Sequence, residues 1–499
     1  MVRLRKVVAA AAATALGTLS LAGVPAAAVA VPALETGWQA GGWQGTSGTT
    51  TGLSLTDVAR AIGAYGTGLD GTGVGVALID TGVSRVPGLP AAHLVNGPDL
   101  SFESQGGTVR YQDTYGHGTH LAGIIVGNDG TSGFKGLAPG AKLTSVKAST
   151  AMGSVDVTQM VAAIDWVVQH RNDDSAYPIR VLNLSYGTPG TQEAAFDPLT
   201  FAVENAWKHG IVVVVAGGNG SNSAGVLTNP GYDPYVLSVG SAAPGSSPSV
   251  PGTHLSSFTD TVSSGRNIDL AAPGESIVSL RDPYSNIDVS YPGAEVGGAL
   301  FRGSGTSQAA AVVSGAVALL LQKRPTLTPD QVKALLKTTV TPFTAGAGAT
   351  EHLGELNLGR ALTAATPTSL QRHPAAYGTG SFEFSRGAIH VVHDGIDLEG
   401  EFTPQGPLDP AVWAQTTAAL GAWKGGVWMG YRLAGDGWTG SSWASRTWAP
   451  ATWAGTSWDG TSWNDDTWSA HFWSGGAWTG HFWSSHFWSS DGWSTAYWG

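Results

Sequence analysis

The chain has 499 residues, enough for two or three ordinary domains, with a formal net charge of −11, 12% charged residues, 71 glycines, 20 tryptophans and no cysteine. The lack of cysteine excludes a disulfide scaffold, a thiolate-bound zinc or iron–sulfur centre and a cysteine nucleophile. The acidic balance argues against a nucleic-acid partner, and sixteen of the tryptophans crowd into residues 413–499, so the average hides two kinds of chain.

Residues 1–30 open with Arg3, Arg5 and Lys6, run mostly apolar from Val7 to Val24, and end in Pro25-Ala26-Ala27-Ala28-Val29-Ala30. A charged start, an apolar middle and a small-residue end form a secretory signal peptide. Thr14, Gly17, Thr18, Ser20 and Gly23 interrupt the apolar stretch, which weighs against a membrane anchor. No later run reaches 18 apolar residues, so the mature chain is expected to lack a transmembrane span and to be secreted. Residues 31–52, rich in Gly, Thr and Ala, read as a linker.

From 53 to 365 short apolar runs alternate with helical patterns. Val74–Ile79, Val181–Leu184, Ile211–Val215 and Tyr235–Val239 have strand length, and the run Ile211–Val215 lacks any polar alternation. That is the signature of a strand buried on both faces of a parallel sheet. Val157–Val168 and Thr328–Thr339 read as helices, the second with Thr328 as N-cap, Pro329 at the first helical position and Gln331 completing a capping box. Asn357–Ala364 reads as the last helix of this region. The alternation predicts an α/β fold, a doubly wound parallel sheet with its site at the carboxyl ends of the strands. Residues 366–406 read as a linker segment, with one or two β-hairpins in 374–405 around Asp394-Gly395, and 407–499 as a β-rich Trp-rich repeat.

Four short segments of the α/β region carry chemistry. Asp80 follows the strand Val74–Ile79; His117 lies in Gly116-His117-Gly118-Thr119-His120 at the head of an apolar helix; Asn219 closes the turn Ala216-Gly217-Gly218-Asn219; Ser307 opens the helix after Gly305-Thr306. A serine hydroxyl needs a histidine base, and that base needs a carboxylate to orient it. The N-terminus of the Ser307 helix puts positive partial charge where an oxyanion would form. His117 and His120 are three apart, but no third ligand stands near, so a metal site is not expected there.

Asp80-Thr81-Gly82, Gly116–His120, Ala216–Asn219 and Gly305-Thr306-Ser307 resemble the four signature segments of the subtilisin-like serine peptidases, in that family's order of acid, histidine, serine. The resemblance covers residues 53–365. It implies a secreted serine endopeptidase acting through an acyl-enzyme. Ser307 would be the nucleophile, His117 the base and then the acid, Asp80 the residue holding the imidazole tautomer, and Asn219 with the Ser307 N–H the oxyanion hole. It also implies that Ser185-Tyr186-Gly187 and the stretch from Ser149 to Ser154 flank an extended polypeptide substrate. Gln308 and Ala311 stand where relatives usually have Met and Pro, and Thr188 and Thr228 would narrow the primary specificity pocket. No cofactor is required. Many relatives bind calcium; Asn128-Asp129-Gly130 could hold a cation, though an ordinary Asp-Gly turn accounts for it better. Secreted relatives usually carry a folding pro-domain, for which residues 31–52 are too short.

From Trp438 to Trp498 a tryptophan recurs at every fifth residue, and Trp413, Trp423 and Trp428 share the register. Period five matches neither a helix nor a flat strand, and the intervening Gly, Ser and Thr suit a β-solenoid or a tight meander. Each indole can bury on the order of 200 Å², so the rings must form a core of their own or bind something. The first is the simpler reading; the second gives an aromatic platform for cell-wall glycan or surface polymer. The tail resembles the Trp-rich ends of secreted actinobacterial peptidases. The rival to the enzyme reading is a surface-attachment protein whose peptidase fold is a weakly active or inactive scaffold.

Overall fold

The computed structural model describes residues 52–432, apart from short stretches at 105–108, 154, 221–226, 263–264, 347, 349–352, 369, 389 and 394–395, together with strand segments at 436–438, 448–450, 457–458 and 461–462. Residues 1–30, read as a signal peptide, residues 31–51 of the expected linker and most of the tryptophan repeat lie outside the described residues.

After helix α1 (Leu55–Ala61), the chain forms β1 (Gly75–Asp80), β2 (Leu94–Asp99), α2 (His117–Val126), β3 (Lys142–Lys147), α3 (Val157–His170), β4 (Ile179–Leu184), α4 (Pro198–Lys208), β5 (Val212–Ala216), β6 (Leu237–Ala242) and β7 (Leu270–Pro273). Strands β8 (Ile277–Leu280), β9 (Glu295–Val296) and β10 (Leu300–Gly303) make a separate antiparallel sheet around a short helix α5 (Asn286–Ser290). Then come α6 (Thr306–Lys323), α7 (Pro329–Thr339), β11 (Thr341–Pro342), β12 (Gly354–Glu355) and α8 (Leu358–Thr363).

The main sheet has nine strands in the order β11-β12-β7-β6-β5-β4-β1-β3-β2, parallel except for the β11–β12 pair. Every residue of β5 is buried, as its unbroken valine run requires of a strand covered on both faces. Helices α2 and α6 pack on each other on one side, and α3 and α4 form the other helical layer. Helix α6 is buried all round from Thr306 to Leu321, which its Ala- and Val-rich sequence permits. The order reverses at β1, which lies between β3 and β4, so a crevice opens beyond its carboxyl end. The capping box at Thr328 and Gln331 is present, and Asn357 caps α8.

Residues 374–405, read as one or two hairpins, contain one, β13 (Val392–His393) with β14 (Ile396–Asp397), and the first strand of a second, β15 (Phe402–Thr403) with β16 (Gly406–Pro407), but also the helical turn α9 (Phe382–Arg386). Beyond them α10 (Pro410–Ala418) leads to an antiparallel meander of β17 (Trp423–Lys424), β18 (Val427–Trp428) and β19 (Tyr431–Arg432), in which Trp423 pairs with Trp428. The five-residue period here is one short strand plus one turn, so the expected meander exists at this start of the repeat. Its rings, however, do not stack into an independent core. Trp413, Trp423 and Trp428 are buried with the hydrophobic core of the α/β region. Trp413 and Trp428 each donate an indole N–H to Asp165 Oδ2 on α3 at 2.8 Å, the Thr417 hydroxyl donates to Asp165 Oδ1, and Trp423 donates to the Ala162 carbonyl at 2.8 Å. Burial pushes the Asp165 carboxyl up to about 6 against these three donors.

Candidate active site

Each of the four predicted segments sits where a rigid element begins or ends. Asp80 is the last residue of β1, His117 the first of α2, Asn219 lies three residues past β5, and Ser307 is the second residue of α6. Asp80, His117 and Ser307 are all buried. Asp80 Oδ1 accepts from His117 Nδ1 at 2.7 Å and from the Thr81 N–H at 2.8 Å. With Nδ1–H donated to the carboxylate, the neutral ring is held in the tautomer whose Nε2 is the basic atom.

The approach of α2 to β1 demands glycine. A Cβ on Gly118 would stand 2.1 Å from the Gly82 carbonyl oxygen, and Gly116 has φ 105°, a conformation that side chains resist. Asp113 serves as the cap that Gly116 cannot be: its carboxylate accepts from the Gly116 and Thr119 N–H groups at 2.6 and 2.7 Å and from the Thr81 hydroxyl at 2.7 Å. Thr81 in turn accepts from the Gly118 N–H at 2.9 Å. Sequence reasoning missed Asp113; its signal was an acid just ahead of the helix that begins with His117. Burial raises the Asp113 carboxyl, and burial together with the Asp113 charge pushes Asp282 up to about 8. Asp282 Oδ2 meets the Ser84 and Thr119 hydroxyls at 2.8 and 3.4 Å. With three donors on it, Asp113 carries the charge of the pair and Asp282 the proton.

The other half of the site is tied at α6. Asn219 Oδ1 accepts from the Thr306 N–H at 2.9 Å, and the Thr306 hydroxyl accepts from the Gly218 N–H at 3.2 Å. This fixes the Asn219 amide with Nδ2 as the end able to donate to an oxyanion beside Ser307. His120 is a scaffold residue: its Nε2 bonds to the Phe301 carbonyl at 3.2 Å, and burial followed by the nearby His117 lowers it to about 3, so its ring stays neutral.

The two stretches expected to flank a substrate lie after β4 and after β3. Ser185, Tyr186 and Gly187 follow β4 and are buried, as is Ser149, whose hydroxyl points to the Gly153 carbonyl at 3.4 Å. Ser154 lies outside the described residues. The Thr188 hydroxyl, expected at the pocket rim, donates instead to the Ser385 carbonyl of α9. Sequence reasoning also missed Lys147 at the end of β3. Its buried ammonium contacts Glu103 at 2.6 Å and the Gln112 carbonyl at 2.5 Å, while Glu103 holds the Ala151 N–H at 2.5 Å. Gln308, next to Ser307, is fully buried. At Asn128-Asp129-Gly130 the Asp129 carboxylate accepts from the Thr131 and Ser132 N–H groups at 2.9 and 3.2 Å, a self-contained turn. Among the described residues, no group of three acidic or histidine side chains could hold a metal ion.

Residues 71–379 match the family model described as the subtilase family. The serine protease AprX of Bacillus subtilis (strain 168) is 36% identical over 286 residues, 56% of this chain and 64% of that protein. Subtilisin Savinase of Lederbergia lenta is 32% identical across 56% of this chain and 88% of its own length. Subtilisin DY of Bacillus licheniformis is 35% identical, with 55% and 86% covered. A solved cold adapted subtilisin-like serine proteinase aligns with 30% identity over 59% of this chain and 90% of its own, at a TM-score of 0.44.

Proposed function

The chain belongs to the subtilase family, as a subtilisin-like serine endopeptidase, and from that premise we propose that it is exported and cleaves extended polypeptides with Ser307 as nucleophile. The observation that carries this reading is the buried 2.7 Å contact between Asp80 and His117, with Asn219 fastened beside Ser307 through Thr306. His117 Nε2 takes the Ser307 proton as Oγ attacks the substrate carbonyl, and later returns it to the leaving amine. Asp80 stabilises the imidazolium that forms between these transfers. The Asn219 amide and the Ser307 N–H, at the head of α6, receive the negative oxygen of the tetrahedral intermediate. Ser185–Gly187 on one side and the stretch from Ser149 to Ser154 on the other bind the peptide backbone as added strands, which favours loops and unfolded chains over folded domains.

The N-terminal pattern supports export, and among the described residues no helix is long and apolar enough to cross a membrane. We assign attachment to cell-wall glycan or surface polymer to the repeats from Trp438 onward, since Trp413, Trp423 and Trp428 are buried in the fold. The likeness to secreted actinobacterial peptidases rests on this repeat alone. Labelling with a fluorophosphonate tests the enzyme. The full chain should be modified at Ser307, and Ser307→Ala should take no label and lose on the order of 10⁶ in kcat, the magnitude known for this family's triad and transferred here. An unlabelled Ser307 in folded chain defeats the reading.

A further inference from the structure

The family match ends at residue 379, and the next element, α9, contacts the supports of both proposed substrate-binding walls. On one side the Ser385 carbonyl accepts from the Thr188 hydroxyl, next to Ser185–Gly187. The Phe384 carbonyl accepts from the Thr191 N–H at 2.9 Å, and Ser385 Oγ donates to Asp197 at 2.7 Å. The fit is close: a Cβ on Gly387 would stand 2.2 Å from the Pro189 carbonyl oxygen. On the other side Arg386 Nε donates to Asp156 Oδ2 at 2.6 Å. Asp156 is the N-cap of α3 and stands two residues past the stretch from Ser149 to Ser154, accepting from the Thr158 N–H at 2.9 Å.

Arg386 is built for this place. It is 1% exposed, and its remaining N–H groups reach the Gly400 carbonyl at 2.6 Å, the Phe402 carbonyl and Glu383 at 3.1 Å. A planar guanidinium can satisfy a carboxylate and two carbonyls at once; an ammonium cannot reproduce that fork. Ordinary packing does not require a buried charge here, because burying one is costly unless it is fully paired.

We propose that Arg386 and Ser385 are positioning residues for substrate: through Asp156 and Thr188 they hold the two walls of the cleft at a fixed separation from behind. The inference rests on the endopeptidase reading above and on the assignment of those walls. It makes peptide affinity, and selection of the side chain preceding the cleaved bond, depend on a segment outside the matched domain. Neither residue touches the triad, so the chemical step is spared.

The test is carried out on the full chain with Arg386→Lys. KM and kcat are measured for a peptide long enough to span both walls, alongside the rate of labelling by a small fluorophosphonate that needs neither wall. The expected result is a rise in KM of about tenfold, with kcat and labelling within twofold of wild type. Equal losses in peptide cleavage and labelling, or an unchanged KM in a folded variant, overturn the proposal. If Arg386→Lys does not fold, Asp156→Asn, which keeps a side-chain oxygen for the α3 cap but removes the carboxylate that Arg386 grips, is expected to raise KM about threefold with kcat kept; an unchanged KM again overturns it. A wild-type chain that is neither labelled nor active on the peptide overturns the endopeptidase reading itself. A labelled, active wild type with an unaffected variant overturns only the role of α9.

Discussion

Two carboxylates, one in the candidate active site and one under the C-terminal segment, accept hydrogen bonds from aromatic ring N–H groups with nearly the same geometry. Asp80 receives His117 Nδ1–H at 2.7 Å; Asp165 receives the indoles of Trp413 and Trp428 at 2.8 Å each. Both are buried. The difference lies in the ring. Imidazole has a second nitrogen that can take a proton, so under the proposed mechanism the carboxylate would stabilise a charge that appears during turnover. Indole has only a donor, so the same contact can do nothing but hold α10 and β18 against α3. One hydrogen-bond pattern thus suits the proposed chemistry at the end of β1 and holds the C-terminal segment to α3.

The widest gap between the two should appear when each acid is changed alone. Asp80→Asn leaves an acceptor in place but disturbs the histidine tautomer. It should lower kcat by about 10⁴, the size of this effect in a serine peptidase of another fold, and leave the melting temperature within about 2 °C of wild type. Steady-state kinetics and calorimetry on the same sample check both halves. A variant that melts early with kcat intact would break the comparison at its catalytic end.

Asp165→Ala should do the reverse. It strands two indole N–H groups and the Thr417 hydroxyl in the interior, at about 1–3 kcal/mol for each donor that finds no other acceptor. A net loss of about 3 kcal/mol would lower the melting temperature by roughly 5–10 °C, while fluorophosphonate labelling of Ser307 stays near wild type. Because the Asp165 carboxyl is raised to about 6, the sign of its pH dependence is also set. The folded state holds the proton more tightly than the unfolded chain, so this group favours folding in acid and loses that contribution as pH rises through about 6. Mild acid should therefore not release the C-terminal segment.

What could be read in advance follows the same division. The four segments of the candidate site were legible because each sits in a local pattern: Gly118 must lack a side chain where α2 meets Gly82, and Ser307 stands at the start of a helix. The valine run of β5 and the capping box of α7 are likewise written within a few residues. Helix α9 was not legible, and residues 374–405 read as hairpins alone. It has five residues, too few to form unaided, and its anchor Asp156 lies 230 residues away in the chain. The tryptophan register was visible, and the meander of β17–β19 is one of the two arrangements, solenoid or meander, that the period left open. That its first three rings bury against α3 was not, because Asp165 looks like any acid on a helix until its partners are known.

Asp113 and Asp282 give the comparison a third case, a buried acid that faces no ring and keeps its proton. Burial first, and then the Asp113 charge, push Asp282 up to about 8, against an unfolded value of about 3.9. Between these values the folded chain binds the extra proton, so the contribution of Asp282 to stability is full below about pH 4 and is lost as pH climbs to about 8. Asp282→Asn cannot ionise and removes that slope while retaining an oxygen for the Ser84 hydroxyl, which lies 2.8 Å from Asp282 in the native chain. Denaturant unfolding at pH 5 and pH 9 should find the variant gaining on the wild type by on the order of 1–2 kcal/mol across that interval, less than the full pKa difference because the two acids share the penalty. A constant difference between the two curves would mean that Asp282 is ionised throughout. The division of charge and proton between the two acids, and with it the firmness of the α2 cap under His117, would then have to be reassigned.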